Sequence, residues 1–351
     1  MFFASDNWAG AHPAISERLF QESGRFASAY GSSDIDKKVE EAFCELFQRE
    51  VAVFFVATGT AANSLALASL TRPGGVAFCH NEAHVTNDEC GAPEFLSGGL
   101  RLVTVNGANG KIDPADLTAR IGRFPPGAVH QGQPTAVTIT QASEIGTVYS
   151  LNEIEAIANV TRARKLALHM DGARFANALV TLDGATAADM TWKRGVDILS
   201  FGGTKNGCWC AEALIYFDPD MARELPFLRK RSAQLFSKSR FIAAQFDAYL
   251  KGGLWLELAR HANAMADSLR AGLSASNRAR LAWDTVSNEV FAIVARDAAR
   301  VAEEKGARFY EWPVPAETPD LLDESEMLIR LVTSFATEQP DVDNLLECLA
   351  G

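Results

Sequence analysis

Short runs of apolar, mostly β-branched or aromatic residues alternate along the first 220 positions with longer stretches in which apolar residues recur at helical spacing. The short runs predict strands at Val51–Val56, Val76–Cys79, Arg101–Val105, Ala136–Thr140, Lys165–Met170, Asp197–Phe201 and Ala213–Phe217. Helical patterns fall between them, at Thr60–Leu70 and at Leu151–Arg164 among others. Ser150 followed three residues later by Glu153 makes a capping box for the second of these. Strands separated by helix-length segments imply βαβ units and a mostly parallel sheet with helices on both faces. The last two strands are joined too tightly for a crossover, so the spacing predicts an antiparallel hairpin around Lys205.

After about residue 220 the pattern changes. Arg229–Ala271 reads as one long Ala-rich helical stretch. Strand-like segments follow at Glu289–Val294, Arg308–Glu311 and Met327–Val332, with a helix at Ala298–Lys305 and a closing helix at Val342–Leu349. The expected division is a large α/β domain over residues 1–247 and a smaller C-terminal α+β domain over 248–351. No internal repeat or low-complexity linker interrupts the chain.

Composition narrows the function classes. The chain has 351 residues, 48% of them hydrophobic, which is enough for a large core. Its net charge is −11, and the longest basic cluster is only Arg229-Lys230-Arg231. An acidic chain with scattered cations argues against nucleic acid and against an anionic membrane as partner. The six cysteines form no CxxC motif and read as free thiols of a reducing compartment. Cys208 and Cys210 would share a strand face, but no second pair accompanies them, so packing and not metal is expected. The N-terminus lacks the pattern of a signal peptide, and no apolar stretch reaches the roughly 20 residues of a membrane span. A soluble cytoplasmic protein is the expectation.

Three stretches carry candidate chemistry. In "VAVFFVATGTAAN", residues 51–63, an apolar strand ends at Thr58-Gly59-Thr60 and a helix begins at once. Unpaired N–H groups and the positive end of the helix dipole favour a phosphate there, glycine allows close approach, and both threonine hydroxyls can donate. The motif is neither a Walker P-loop nor GxGxxG, and an ordinary threonine-capped turn would look the same. In "LALHMDGAR", residues 166–174, Asp171 follows a buried strand at the edge where open α/β sheets bind ligands. It could pair with a cationic ring nitrogen or simply cap a helix, with Arg174 beside it. In "VDILSFGGTKNGCWCAEALIYF", residues 196–217, Lys205 stands alone in a small-residue turn between two buried strands. Partial desolvation disfavours the charged form of an amine and suits a Schiff-base former, although a snorkelling surface lysine is the plain alternative.

Together these are the parts of a pyridoxal phosphate (PLP) site: an anchor for the phosphate, an acid for the pyridine nitrogen, and, 34 residues after the acid, an amine for the aldehyde. The strings "SDNWAGAHP", "YGSSD", "ATGTAAN", "NEAHVTNDE", "HMDGARFANA", "SFGGTKNG" and "IRLVTSF", in that order from residue 5 to about 335, resemble the threonine aldolase family, also called β-eliminating lyases. The nearest resemblance is to the bacterial low-specificity L-threonine aldolases and phenylserine aldolases. It implies a fold-type-I, aspartate aminotransferase-like α/β architecture: a three-layer large domain with a mostly parallel seven-stranded sheet, plus a smaller C-terminal domain. It further implies PLP-dependent cleavage of β-hydroxy-α-amino acids to glycine and an aldehyde.

The resemblance also implies roles. Lys205 would hold the cofactor and Asp171 would face its ring nitrogen. Gly59 and Thr60 would bind the phosphate, with Thr58 and Thr204 as further contacts. His84 would stack on the ring and take the β-hydroxyl proton. Arg174, Arg330 and Ser5 would engage the cofactor hydroxyl region or the substrate carboxylate. Tyr30 and the Arg229–Lys238 stretch would reach a neighbouring subunit, in a dimer of dimers with shared active sites. An arginine as isolated as Arg330 in "MLIRLVTS" also calls for a carboxylate partner on its own account, which a structural salt bridge would equally supply. The chain departs from the family in "TQASEIGTVY", where Glu144 replaces a histidine that many members carry, leaving proton transfer open among His84, Glu144 and a phosphate-bound water. Transamination, β-elimination, or binding without turnover are the rival readings of the same parts.

Overall fold

A computed structural model of the chain describes residues 1–315, 318 and 320–350. Seven strands form the main sheet: β1 (Ala52–Val56), β2 (Gly75–His80), β3 (Arg101–Val105), β4 (Gln133–Thr140), β5 (Ala167–Gly172), β6 (Ile198–Gly202) and β7 (Glu212–Tyr216). Their order is β1-β7-β6-β5-β4-β2-β3. Four neighbouring pairs, from β6 to β3, are parallel. β7 runs antiparallel to both β6 and β1, so the hairpin reading of the Lys205 turn holds. Strands β2, β6 and β7 are buried on both faces, which is why they read as unbroken apolar runs.

The parallel arrangement gathers the C-terminal ends of β1, β2, β4, β5 and β6 along one edge. Because β7 is reversed, its first residue, Glu212, joins that edge, opposite Val56 and Gly202. The helix after β1 spans Gly59–Leu70 and buries every residue from Ala61 to Ala68. The helix Leu151–Ala163 starts with the expected capping box: Ser150 N donates to Glu153 Oε2 at 2.7 Å and Glu153 N to Ser150 Oγ at 3.3 Å.

Three expectations about elements need correction, and the first is the strand Arg308–Glu311, which shortens to Tyr310–Glu311. Arg229–Ala271 is not one helix. It comprises the end of Leu225–Arg231, then Arg240–Leu250, a 3-10 turn at Lys251–Gly253, and most of Leu254–Ser274. Gly252 and Gly253 take φ of 65° and 78°, a left-handed backbone that stops one helix and redirects the next. β5 begins at Ala167, two residues later than expected, because Lys165 sits in a turn with φ of 56°.

A second sheet is antiparallel throughout, in the order β10-β11-β9-β8: β8 (Ala279–Leu281), β9 (Glu289–Ala295), β10 (Tyr310–Glu311) and β11 (Glu326–Val332). β8, only three residues long, has no counterpart among the expected strands. This sheet builds a separate core with helices Leu254–Ser274, Arg296–Glu304 and Gln339–Ala350. Phe3 belongs to that core, although it is distant in sequence. Phe3 N donates to Arg308 O at 2.7 Å, and Val332 N donates to Phe3 O at 2.8 Å. The N-terminal segment is thereby tied along the second sheet just before residues 5–8.

Candidate active site

A cavity of about 250 Å³ opens at the collected strand ends. Thr58, Gly59, Thr60, His84, Asp171, Thr204 and Lys205, all candidates from the sequence, line it.

Thr58 lies in extended backbone and accepts a hydrogen bond from Ala61 N at 3.1 Å, capping the helix that Gly59 begins. A Cβ added at Gly59 would meet nothing within 4 Å, so the helix start faces open space where a bulky anion can approach the backbone.

Lys205 occupies a 3-10 turn, Thr204–Asn206, pinned on both sides. Asn206 Nδ2 donates to Tyr249 Oη at 2.7 Å and to Trp255 O at 2.8 Å. Gly203 N donates to Ala211 O at 2.9 Å, and Ala211 N to Thr204 Oγ1 at 3.1 Å. Gly207 closes the turn at φ of 107°, a conformation glycine accepts most readily. Below it, Phe43, Phe201, Phe246, Tyr249 and Trp255 form a packed aromatic cluster, with Phe43 meeting Phe201 and Phe246 edge-on at 5.3 Å. A rigid apolar floor thus presents a flexible amine to the cavity.

Asp171, next to last in β5, is almost fully buried. Its Oδ1 accepts from Ala173 N at 3.0 Å and its Oδ2 from Asn63 Nδ2 at 2.7 Å. Asn63 Nδ2 also donates to Glu89 Oε1 at 2.8 Å, and Glu89 Oε1 lies 3.0 Å from His84 Nδ1. A continuous chain therefore runs from Asp171 through Asn63 and Glu89 to His84. The hydrogen bond to Glu89 raises the pKa of His84 above its usual value, aided by Glu144 and Asp171 and opposed by burial. Burial raises the pKa of Glu89 itself. Glu212 also lines the cavity, and burial pushes its carboxyl up to about 7 against hydrogen bonds from Thr204 and the charge of Lys205. His169 lies deeper, between Thr138 Oγ1 at 2.8 Å and Ser200 Oγ at 2.9 Å, and burial lowers its pKa to about 3. It is a neutral support for β5.

The remaining candidates sit elsewhere. Arg174 is buried, with Nε and Nη2 on the two oxygens of Asp6 at 2.8 and 3.1 Å and Nη1 3.4 Å from Glu289 Oε1. Those anions outweigh burial and raise its pKa further. Arg330 donates through Nε and Nη2 to Glu289 Oε1 at 3.1 and 2.6 Å, with its guanidinium 4.8 Å from the Trp312 ring centre. The salt-bridge alternative for Arg330 is therefore realised. Glu144 is buried near this group and acts on His84, Arg174 and Glu289. Ser5 caps the 3-10 turn Asp6–Trp8 and lines a separate cavity of about 170 Å³, whereas Asn7 lines the central one. Tyr30 is exposed, with Lys230 Nζ 5.6 Å from its ring centre. Within the Arg229–Lys238 stretch, Gln234 Oε1 accepts from Ala57 N at 3.3 Å, which places it beside the cavity of its own chain.

Asn63, Glu89, Glu212 and Asn7 also line the cavity, and none of them is a candidate from the sequence. Three of them are within reach of sequence reasoning, since Asn63 ends "ATGTAAN", Glu89 ends "NEAHVTNDE" and Asn7 lies in "SDNWAGAHP".

The residues present fit PLP. The donor set offers a helix start with two hydroxyls for a phosphate, a buried carboxylate for a protonated ring nitrogen, and an amine. Buried Asn63 Oδ1 and Glu89 Oε2 have no hydrogen-bond partner among the described residues, which leaves polar atoms unsatisfied beside the cavity.

The Beta-eliminating lyase family model matches residues 3–297. A low specificity L-threonine aldolase of Pseudomonas sp. (strain NCIMB 10558) is 40% identical over 308 residues, 88% of each chain. The solved structure of a Leishmania major threonine aldolase superposes with a TM-score of 0.91 at 29% identity, covering 99% of this chain and 98% of that one. A serine palmitoyltransferase of Sphingomonas wittichii shares the fold at a TM-score of 0.70 and 14% identity, covering 100% of this chain and 86% of that one.

Proposed function

The chain belongs to the β-eliminating lyase family, and from that premise we propose that its central cavity cleaves the Cα–Cβ bond of β-hydroxy-α-amino acids, L-threonine and L-allo-threonine among them, to glycine and an aldehyde. It is a lyase and it uses PLP. The observation that carries the reading is the meeting of Lys205, Asp171 and the Thr58–Thr60 helix start around one cavity, in a chain similar to threonine aldolases over nearly its whole length.

Lys205 would hold the cofactor through its amine, Asp171 would face the ring nitrogen, and Gly59, Thr58, Thr60 and Thr204 would hold the phosphate end. Bound there, PLP withdraws electrons from the substrate's α-carbon, which makes scission of a bond to that carbon feasible. Asn63 keeps Asp171 oriented by donating to it. Arg174 and Arg330 receive the substrate carboxylate, with Ser5 as a further contact. A fixed carboxylate sets which substituent of the α-carbon stands perpendicular to the ring, and for cleavage to glycine that must be the β-carbon.

His84 takes the β-hydroxyl proton. With Nδ1 directed at Glu89, the neutral ring carries its hydrogen there and leaves Nε2 free to accept. Glu144 is the second carboxyl near His84 and orients the water or hydroxyl that shares the proton.

The protein works in the cytoplasm as a homo-oligomer, a pair of dimers in which Tyr30 and the basic stretch after Arg229 complete a neighbour's site. Among the described residues no helix is long and apolar enough to cross a membrane. Exposed Phe20, Phe26, Tyr30 and Phe227 supply apolar surface that a second copy would cover.

Product analysis tests the reading. Holoenzyme given L-threonine, L-allo-threonine or phenylserine should release glycine and the matching aldehyde in equal amounts. Keto acid or ammonia in place of glycine would move the chain to transamination or β-elimination.

A further inference from the structure

Two guanidinium and three carboxyl groups crowd together where the N-terminal turn, the loops after β4 and β5, and strands β9 and β11 converge. Arg174 is held by Asp6, and both Arg174 and Arg330 reach Glu289. Glu144, on the loop after β4, faces the group as well. Asn288 completes it, donating through Nδ2 to Asp6 Oδ2 at 3.1 Å and to Thr333 O at 2.8 Å.

The contacts to Glu289 are lopsided. Arg330 Nη2 at 2.6 Å, Arg330 Nε at 3.1 Å and Arg174 Nη1 at 3.4 Å all meet Oε1. Oε2 is buried with no hydrogen-bond partner among the described residues. An unpaired oxygen on a buried, charged carboxylate is costly. The same oxygen is a natural place for a proton. Burial raises the pKa of Glu289, with Glu144 and Asp6 acting the same way and Arg174 and Arg330 opposing.

The arginines are therefore already neutralised from within the chain. A substrate carboxylate arriving at them brings another negative charge into a space with little water. Carboxylates that share one buried site cannot all stay ionised, and of the three Glu289 is the one with a fully buried oxygen that lacks a hydrogen-bond partner among the described residues, so it is the one to protonate. We infer that Glu289 is a positioning residue that holds Arg330 and Arg174 between substrates and takes up a proton from solvent at Oε2 when a substrate carboxylate engages them. The inference rests on the reading that these arginines receive that carboxylate. No bond other than O–H forms, and the proton comes from the buffer.

Carboxylate binding then weakens with rising pH, because the proton becomes harder to recruit. The loss approaches about tenfold per pH unit once Glu289 is ionised in the ligand-free protein.

Calorimetric titration of the holoenzyme with 3-hydroxybutyrate, a carboxylate without an amine, tests this without turnover. The titration is done at one alkaline pH in two buffers of different ionisation enthalpy. The expected result is uptake of about one proton per site. Glu289→Gln should abolish the uptake, bind the probe more tightly at that pH with pH-independent affinity, and lower KM for threonine by a larger factor than it changes kcat. No proton uptake by wild type, uptake that persists in Glu289→Gln, or failure of the probe to bind would overturn the proposal. The wild-type buffer pair is decisive even if the variant does not fold. Proton uptake with threonine left uncleaved would remove the aldolase reading and spare this one; cleavage without uptake would do the reverse.

Discussion

At the scale of single residues, the site is a set of charged groups whose states are fixed by their immediate partners. His84 is the clearest case. Its pKa is raised chiefly by the Glu89 hydrogen bond, with burial pulling the other way. If neutral His84 accepts the β-hydroxyl proton, kcat should rise with pH through that raised pKa. In Glu89→Gln the chief raising influence is gone and burial remains, so the acid limb of the kcat profile should move to lower pH. An unmoved limb would assign the proton to another group, with Glu144 next in line. His84→Asn should lower kcat by about a hundredfold, the low end for loss of a positioned acid–base group. Lys205, Asp171 and Thr58 are legible in the sequence because each stands within a few residues of the end of a recognisable apolar strand. Asn63 and Glu89 fall inside recognisable motifs but are not singled out there, because their importance lies in bonds to Asp171 and His84 from separate elements. Glu289 carries no local signal at all: a charged residue at a strand start reads as solvent-facing until β11 places Arg330 against it.

At the scale of elements, one sheet edge does the assembling. β5 and β6 lie close enough at their ends that a Cβ on Gly202 would come within 2.6 Å of Ala173 O and 2.8 Å of Ala173 Cα. Ala173 sits between Asp171 and Arg174, so relief of that clash must displace the loop that carries both. Gly202→Ala should destabilise the protein by about 1–3 kcal/mol and weaken PLP binding, read by thermal denaturation and by absorbance titration of the apoprotein. Full PLP affinity in that variant would show that the β5–β6 approach does not position the site. Most strands are legible from apolar runs, and the hairpin at Lys205 from its short connection. Less legible is the consequence of that hairpin: reversing β7 brings Glu212 to the ligand edge, where its carboxyl is pushed up to about 7. Strand direction follows from pairing between distant segments, and no local pattern reports which residue such a reversal delivers. The expected long helix fails for the opposite reason, since Gly252 and Gly253 are two weak local signals inside a strongly helical composition.

At the scale of the whole molecule, the N-terminal segment joins the two cores. Phe3 is packed in the second core while Asn7 lines the central cavity, and Asp6, between them in sequence, holds Arg174. Exposed Phe20, Phe26, Tyr30 and Phe227 lead to a further expectation. Light scattering of the holoenzyme should give at least twice the 37.9 kDa chain mass, and Tyr30→Ala should reduce kcat/KM more than it reduces thermal stability. A fully active monomer would contradict the shared-site reading. The central claim is that Lys205 holds PLP in a cavity it shares with Asp171. Borohydride reduction of the holoenzyme followed by peptide mapping tests it most directly. The expected result is a single pyridoxyl label, on the peptide containing Lys205, and its loss in Lys205→Ala together with glycine release from threonine. A label on another lysine, or threonine cleavage that survives Lys205→Ala, would contradict it.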